Sequence, residues 1–186
     1  MFASHTLHTD RFLLRQFHLN DIGSVFKGLS HPDVTRYYGV SYSDLEETAN
    51  QLTWFNDLQK NETGIWWAIC DKETQKFYGG IGFNDLSKIE KKAEIGFWLL
   101  PENWGIGIIK EVADYVCDYA FERLGLKEIE ALVETENENS KKVLRKIGFE
   151  FQETKKNCEM KNGRLISLAI YTKIKDDEMI TQSDNR

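Results

Sequence analysis

The hydrophobic period of the chain changes at Pro101. Before it, Ile65 to Asp71, Phe77 to Asn84 and Ala93 to Leu100 are short β-rich runs, separated by the polar segments Lys72 to Lys76 and Asp85 to Lys92. Such spacing predicts an antiparallel meander. After it, Ile108, Ile109, Val112, Tyr115, Val116 and Tyr119 fall on one helical face running up to Gly125. A strand from about Lys127 to Glu134 follows, then a short helix from about Asn139 with Val143, Leu144 and Ile147 apolar and Gly148 as its C-terminal cap. Phe149 to Lys175 reads as two strands joined by Asn162-Gly163, a dipeptide suited to a type I′ turn. Towards the amino terminus, Leu7 to Arg15 reads as a strand and Asn20 to Leu29 as a helix. A second helix opens on a capping box of Ser43 and Glu46 and carries Leu45, Ala49, Leu52, Phe55 and Leu58 at spacings of three and four. The expected class is mixed α/β, a mostly antiparallel sheet of about seven strands flanked by about four helices.

With 186 residues, 41% hydrophobic and 12% aromatic, the chain can bury one core and is short for two. A single domain over residues 1–175 with a polar, acidic and disordered tail over 176–186 is expected. Half of the net charge of −6 lies in that tail, so the body is only mildly acidic. This lacks the basic footprint of a nucleic-acid binder and is compatible with a cationic substrate. No apolar run is long enough to span a membrane, and Met1 to Asp10 has neither a cationic start nor an apolar stretch, so a cytoplasmic location is expected. Cys70, Cys117 and Cys158 form no CxxC pair and read as reduced, packed thiols. His5, His8, His18 and His31 show no zinc-binding spacing and read as surface or packing residues; no metal is expected.

Three places hold residues suited to chemistry. Trp104-Gly105-Ile106-Gly107 sits at a strand-to-helix junction, where glycines let a ligand approach the backbone and the helix start at Ile108 offers unpaired N–H donors for a pyrophosphate. Alone, the pattern fits a plain turn about as well, since it has neither the Lys-Ser/Thr of a P-loop nor a third glycine. Asn137-Glu138-Asn139-Ser140 ends the next strand, where Asn139 either caps a helix or contacts a ligand lying between diverging strands. Glu94 alternates onto one strand face with Gly96 and Trp98, opposite Ile95, Phe97 and Leu99. Beside Trp98 it is suited to be a base of raised pKa, or it is an ordinary solvated strand residue. No GxSxG elbow and no Cys-His motif is visible, so covalent nucleophilic catalysis has no candidate.

Taken together, Thr9-Asp10-Arg11-Phe12-Leu13-Leu14-Arg15, Ala93-Glu94-Ile95-Gly96-Phe97-Trp98, Trp104-Gly105-Ile106-Gly107, Asn139-Ser140 and Lys146-Ile147-Gly148-Phe149 resemble the GNAT superfamily of acetyl-CoA-dependent N-acetyltransferases, in particular its ribosomal-protein (RimJ/RimL type) branch. The resemblance implies the GNAT fold. It implies that Trp104, Gly105, Ile106, Gly107 and Ile108 bind the pyrophosphate of CoA, and that Asn139 and Ser140 face the pantetheine arm. Two departures stand out: Ile106 replaces a basic or polar residue and Ile109 a small one, and Arg145 stands where many relatives carry a tyrosine general acid. Glu94 is then the expected general base, and Ser140 the nearest group to protonate the thiolate. The implied reaction is direct acetyl transfer from acetyl-CoA to a primary amine, with a protein or peptide amino terminus, such as a ribosomal protein's, as the acceptor. A small amine such as an amino acid, polyamine or drug, and a non-catalytic acyl-CoA-binding role, are the alternatives; a monomer or homodimer is expected.

Overall fold

The computed structural model describes residues 6–175; the readings of His5 and of the tail over 176–186 fall outside them. Eight strands form one sheet in the order β1-β2-β3-β4-β5-β6-β8-β7. They are β1 (Leu7–His8), β2 (Phe12–Arg15), β3 (Ile65–Asp71), β4 (Phe77–Ser87), β5 (Lys92–Leu99), β6 (Glu128–Glu134), β7 (Glu150–Lys161) and β8 (Arg164–Ile174). The helices are α1 (Ile22–Leu29), α2 (Pro32–Thr35), α3 (Leu45–Lys60), α4 (Ile108–Glu122) and α5 (Glu138–Lys146). The two counts exceed the expectation by one each among the described residues, for local reasons. The predicted strand over Leu7 to Arg15 is a hairpin, because the Thr9 hydroxyl accepts the Phe12 N–H at 2.9 Å and the Thr9 N–H donates to the Phe12 carbonyl at 2.9 Å. The short α2 was not legible in the sequence; His31 Nδ1 caps it by accepting the Asp33 N–H, and Pro32 opens it. The predicted helix start at Asn20 is a 3₁₀ turn, Leu19–Asp21, leading into α1.

Each strand of the meander is buried on alternate faces. Ile65, Trp67 and Ile69 of β3 join Ile81, Ile95 and the apolar face of α4, while Trp66, Ala68 and Cys70 join Val25 and Leu29 of α1 and Leu52 and Phe55 of α3. With helices on both faces, β3 reads as a continuous apolar run. Two of the predicted caps are displaced. Asp44, one residue after Ser43, caps α3 by accepting the Glu47 N–H at 2.8 Å, and Ser43 bonds to the Glu47 carboxylate instead. Asn137, and not Asn139, caps α5 by accepting the Ser140 N–H at 3.1 Å. Gly148 follows α5 with φ of 82°, and Asn162 and Gly163 turn the β7–β8 hairpin with φ of 48° and 74°. Cys70 and Cys117 are buried free thiols, but Cys158 is exposed on β7, whose residues lie at the open edge of the sheet, so the packed-thiol reading fails there.

All neighbouring strands are antiparallel except β5 and β6, which α4 connects in parallel. That pair is registered only from Lys92–Glu94 to Glu128–Glu130. Beyond Glu94 the two strands part, and the sheet opens into a cleft.

Candidate functional site

A cavity of about 1350 Å³ occupies the cleft and continues over the face of the sheet that α1 and α3 cover. Its near wall is the junction between β5 and α4. The Trp104 indole donates to the Leu99 carbonyl at 2.9 Å, anchoring the turn to the end of β5. Gly105 and Gly107 then take φ of 79° and 80°, left-handed values that an L side chain rarely adopts. Gly107 is the N-cap of α4 and has no side chain to satisfy the first-turn donors. A 15-residue helix therefore presents bare N–H groups and the positive end of its dipole to the cavity, a donor set that fits a pyrophosphate.

The turn is braced from behind. Arg11, in the β1–β2 turn, donates through Nε to Glu111 of α4 at 2.6 Å, and both terminal nitrogens reach the Ile106 carbonyl at 3.4 Å. Burial raises the pKa of Glu111, but the Thr9 hydroxyl at 2.6 Å and the Arg11 N–H and guanidinium outweigh it and hold the carboxyl below its ordinary range. Ile106 thus contributes a carbonyl to a structural brace. It is exposed and does not line the cavity, in contrast to Trp104, Gly105, Gly107 and Ile108.

On the far wall lie Ala131, Leu132 and Val133 of β6 and Asn137, Asn139 and Ser140 at the start of α5. Because Asn137 performs the capping, the Asn139 side chain is available to the cavity. Arg145 does not line the cavity; it turns to the Tyr171 hydroxyl at 3.1 Å, whereas Ser140 lines the cavity.

Glu94 stands where the walls meet. Its backbone is registered with Asn84 on one side and Glu130 on the other, at the last pair before β5 and β6 separate. Burial raises its pKa to about 7, with the charges of Asp85, Glu159 and Glu130 adding to the effect. At neutral pH such a carboxyl can both accept and release a proton. The expected strand alternation holds, since Trp98 packs with the α1 and α3 side and Ile95 and Leu99 with the α4 side. Burial, with the charges of Tyr42 and Glu94 adding to it, pushes the pKa of Tyr38 well up.

Several lining residues were not legible in the sequence. Trp66 lines the cavity with Glu94, its indole donating to Asn84 Oδ1 at 2.8 Å. A Cβ at Gly82 would sit 2.5 Å from that ring and one at Gly96 2.9 Å from it, so the glycines of two neighbouring strands make its place. Tyr38 and Tyr42 come from an aperiodic loop, and outside the lining the bracing pair Arg11 and Glu111 is 100 residues apart. The glycines at one register level were the only available signal, and their pairing requires strand registry. Among the described residues no group of three or more His, Cys, Asp or Glu is placed to hold a metal.

Residues 11–150 match the acetyltransferase (GNAT) domain family. The chain is 35% identical to the uncharacterized N-acetyltransferase YoaA of Bacillus subtilis (strain 168), over 92% of this chain and 98% of that protein. It is 33% identical to the uncharacterized N-acetyltransferase p20 of Bacillus licheniformis, over 91% of this chain and 96% of that one. Among solved structures, RimL, a ribosomal L7/L12 α-N-protein acetyltransferase in complex with coenzyme A, has the same fold, with a TM-score of 0.82 at 19% identity, covering 91% of this chain and 98% of that chain. The chain belongs to the GNAT acetyltransferase family and is an acetyl-CoA-dependent acetyltransferase.

Proposed function

We propose that the protein transfers the acetyl group of acetyl-CoA directly to the α-amino group at the amino terminus of a protein or peptide, such as a ribosomal protein. The observation that carries this reading is Glu94, a half-buried carboxyl of pKa about 7 inside the cavity where β5 and β6 part. An α-amino group of pKa about 8 lies within a unit or so of that base, whereas a lysine at about 10.4 lies beyond its reach at neutral pH. The bare start of α4 suits the pyrophosphate, and Asn139 and Ser140 suit the pantetheine arm.

Bound acetyl-CoA supplies the acyl group and leaves as the thiol. Glu94 takes the proton that the attacking nitrogen loses, directly or through a water, and the sulfur leaves as a thiolate that the Ser140 hydroxyl hydrogen-bonds and that takes its proton from solvent relayed through that hydroxyl. The nitrogen–carbon bond forms as the carbon–sulfur bond breaks, and no covalent enzyme intermediate is needed. Mass spectrometry of peptides bearing both an α-amine and a lysine tests the reading. Acetylation at the amino terminus is expected, and modification mainly at lysine would show the acceptor assignment to be wrong.

A further inference from the structure

The acceptor side of the cavity, resting on the reading of an α-amine at Glu94, has a wall of unusual composition. Trp66 of β3 is its floor, fixed by Asn84 and seated on Gly82 and on Gly96, which lies two residues from Glu94 along β5. Trp54 of α3 extends that floor towards solvent, its ring 6.2 Å from Trp66 and 40% exposed. Tyr38 and Tyr42 line the same cavity from the loop between α2 and α3, and Tyr42 is held by its hydroxyl donating to Gln51 Oε1 at 2.7 Å. All four aromatic residues line the same cavity as Glu94.

Two polar side chains here hold rings in place. Asn84 Oδ1 accepts the Trp66 indole N–H, and Gln51 Oε1 accepts the Tyr42 hydroxyl. An acceptor side chain as small as that of serine or alanine would leave most of this aromatic surface uncovered. A planar or branched apolar side chain would instead gain aromatic contact.

We propose that these aromatic residues select the first residue of the acceptor, favouring an amine whose α-carbon carries a large apolar or aromatic side chain over one carrying the small side chain of serine or alanine. The amine is presented to Glu94 while its side chain occupies the part of the cavity that Trp54, Trp66, Tyr38 and Tyr42 line. Trp66 and Trp54 are specificity-determining residues and take no part in proton transfer.

The test is thiol release from acetyl-CoA with two matched series, short peptides and amino-acid amides, each beginning with Phe, Leu, Ala or Ser and otherwise identical. Phe and Leu members are expected to exceed Ala and Ser members by about tenfold in kcat/KM, the order that an added apolar contact in a pocket provides. Trp54→Ala, at an exposed position, should bring that ratio towards one, with a retained acetyl-CoA thermal shift showing that the variant is folded. Equal or reversed rates in whichever series is acetylated would overturn the inference, as would a Trp54→Ala variant with the parental ratio. Acetylation of amides but not peptides would count against a peptide amino terminus as acceptor while the ratio within the amides still decides the selectivity. Release with neither series would overturn both.

Discussion

A carboxyl buried to serve as a base destabilises the protein that holds it, and Glu94 makes that conflict measurable. The folded chain holds its proton up to about pH 7, while the ordinary value of 4.5 applies when the chain is unfolded. The protonated form therefore contributes its stability in full below the lower value, and that contribution is lost as pH rises through the higher one. Glu94→Gln should make the protein more stable at pH 8 by up to about 3 kcal/mol, and should leave stability near pH 4 almost unchanged. Chemical denaturation at both pH values checks this. The same variant should lose about 10²- to 10⁴-fold in kcat near neutral pH. For the parent, kcat/KM should rise with pH through about 7 as the carboxylate forms. A variant that is both less active and less stable at pH 8 would mark Glu94 as a packing residue. Glu94 was legible because a strand alternates, and one alternation sufficed to put it on the face with Gly96 and Trp98. The acidic surroundings that help raise its pKa come from Asp85, Glu130 and Glu159 on other strands, which no local pattern brings together.

At the level of elements, the sequence was most informative where periodicity is strong, as in α4 and the second half of α3, or where a β-rich run is bounded by polar turns, as in β3 and β4. It was least informative where one residue decides a boundary. Asp44 rather than Ser43 caps α3, and Asn137 rather than Asn139 caps α5, because in each place two capping residues lie within a few positions and only the backbone angle chooses between them. The start of α4 offers the sharpest test of an element's role. Gly107→Val would put a β-branched residue at φ of 80°, although a side chain there meets only the edge of the Arg11 guanidinium at 4.0 Å. The expected result is loss of the acetyl-CoA thermal shift, because the first-turn donors move; calorimetry giving parental affinity would make the glycine turn a plain junction. Glu111→Ala releases Arg11 and Thr9 together from the far side of the turn. It should weaken acetyl-CoA binding without changing kcat at saturating acetyl-CoA, since none of its partners reaches Glu94. A fall in kcat with unchanged KM for acetyl-CoA would contradict the brace.

For the whole molecule, the decisive feature is a sheet whose two parts share only the short parallel register between Lys92–Glu94 and Glu128–Glu130. β5 still has β4 as a partner on its other edge, and β6 has β8, so each part is internally paired while the edges facing the cleft are not paired with one another beyond Glu94. Alternation and period gave the strands, but whether a parallel pair runs its full length depends on how α4 and α5 seat against the sheet, which is a tertiary outcome. Acetyl-CoA bound along the cleft would touch both parts and bind only the folded chain, which raises stability by mass action, about 2.7 kcal/mol at a concentration of 100 Kd. The gain should also have a location. Amide hydrogen exchange should slow most at Gly96 to Leu99 of β5, at Ala131 to Val133 of β6 and in the first turn of α4, all of which line the cavity. It should change least in β3, which is hydrogen-bonded on both edges by β2 and β4 before any ligand binds. Exchange slowed uniformly across the sheet would mean that the two parts already open and close as one unit, and that the cleft is a fixed groove in a single cooperative sheet; slowing confined to the cleft edges and the start of α4 is what a cofactor joining two internally paired parts produces.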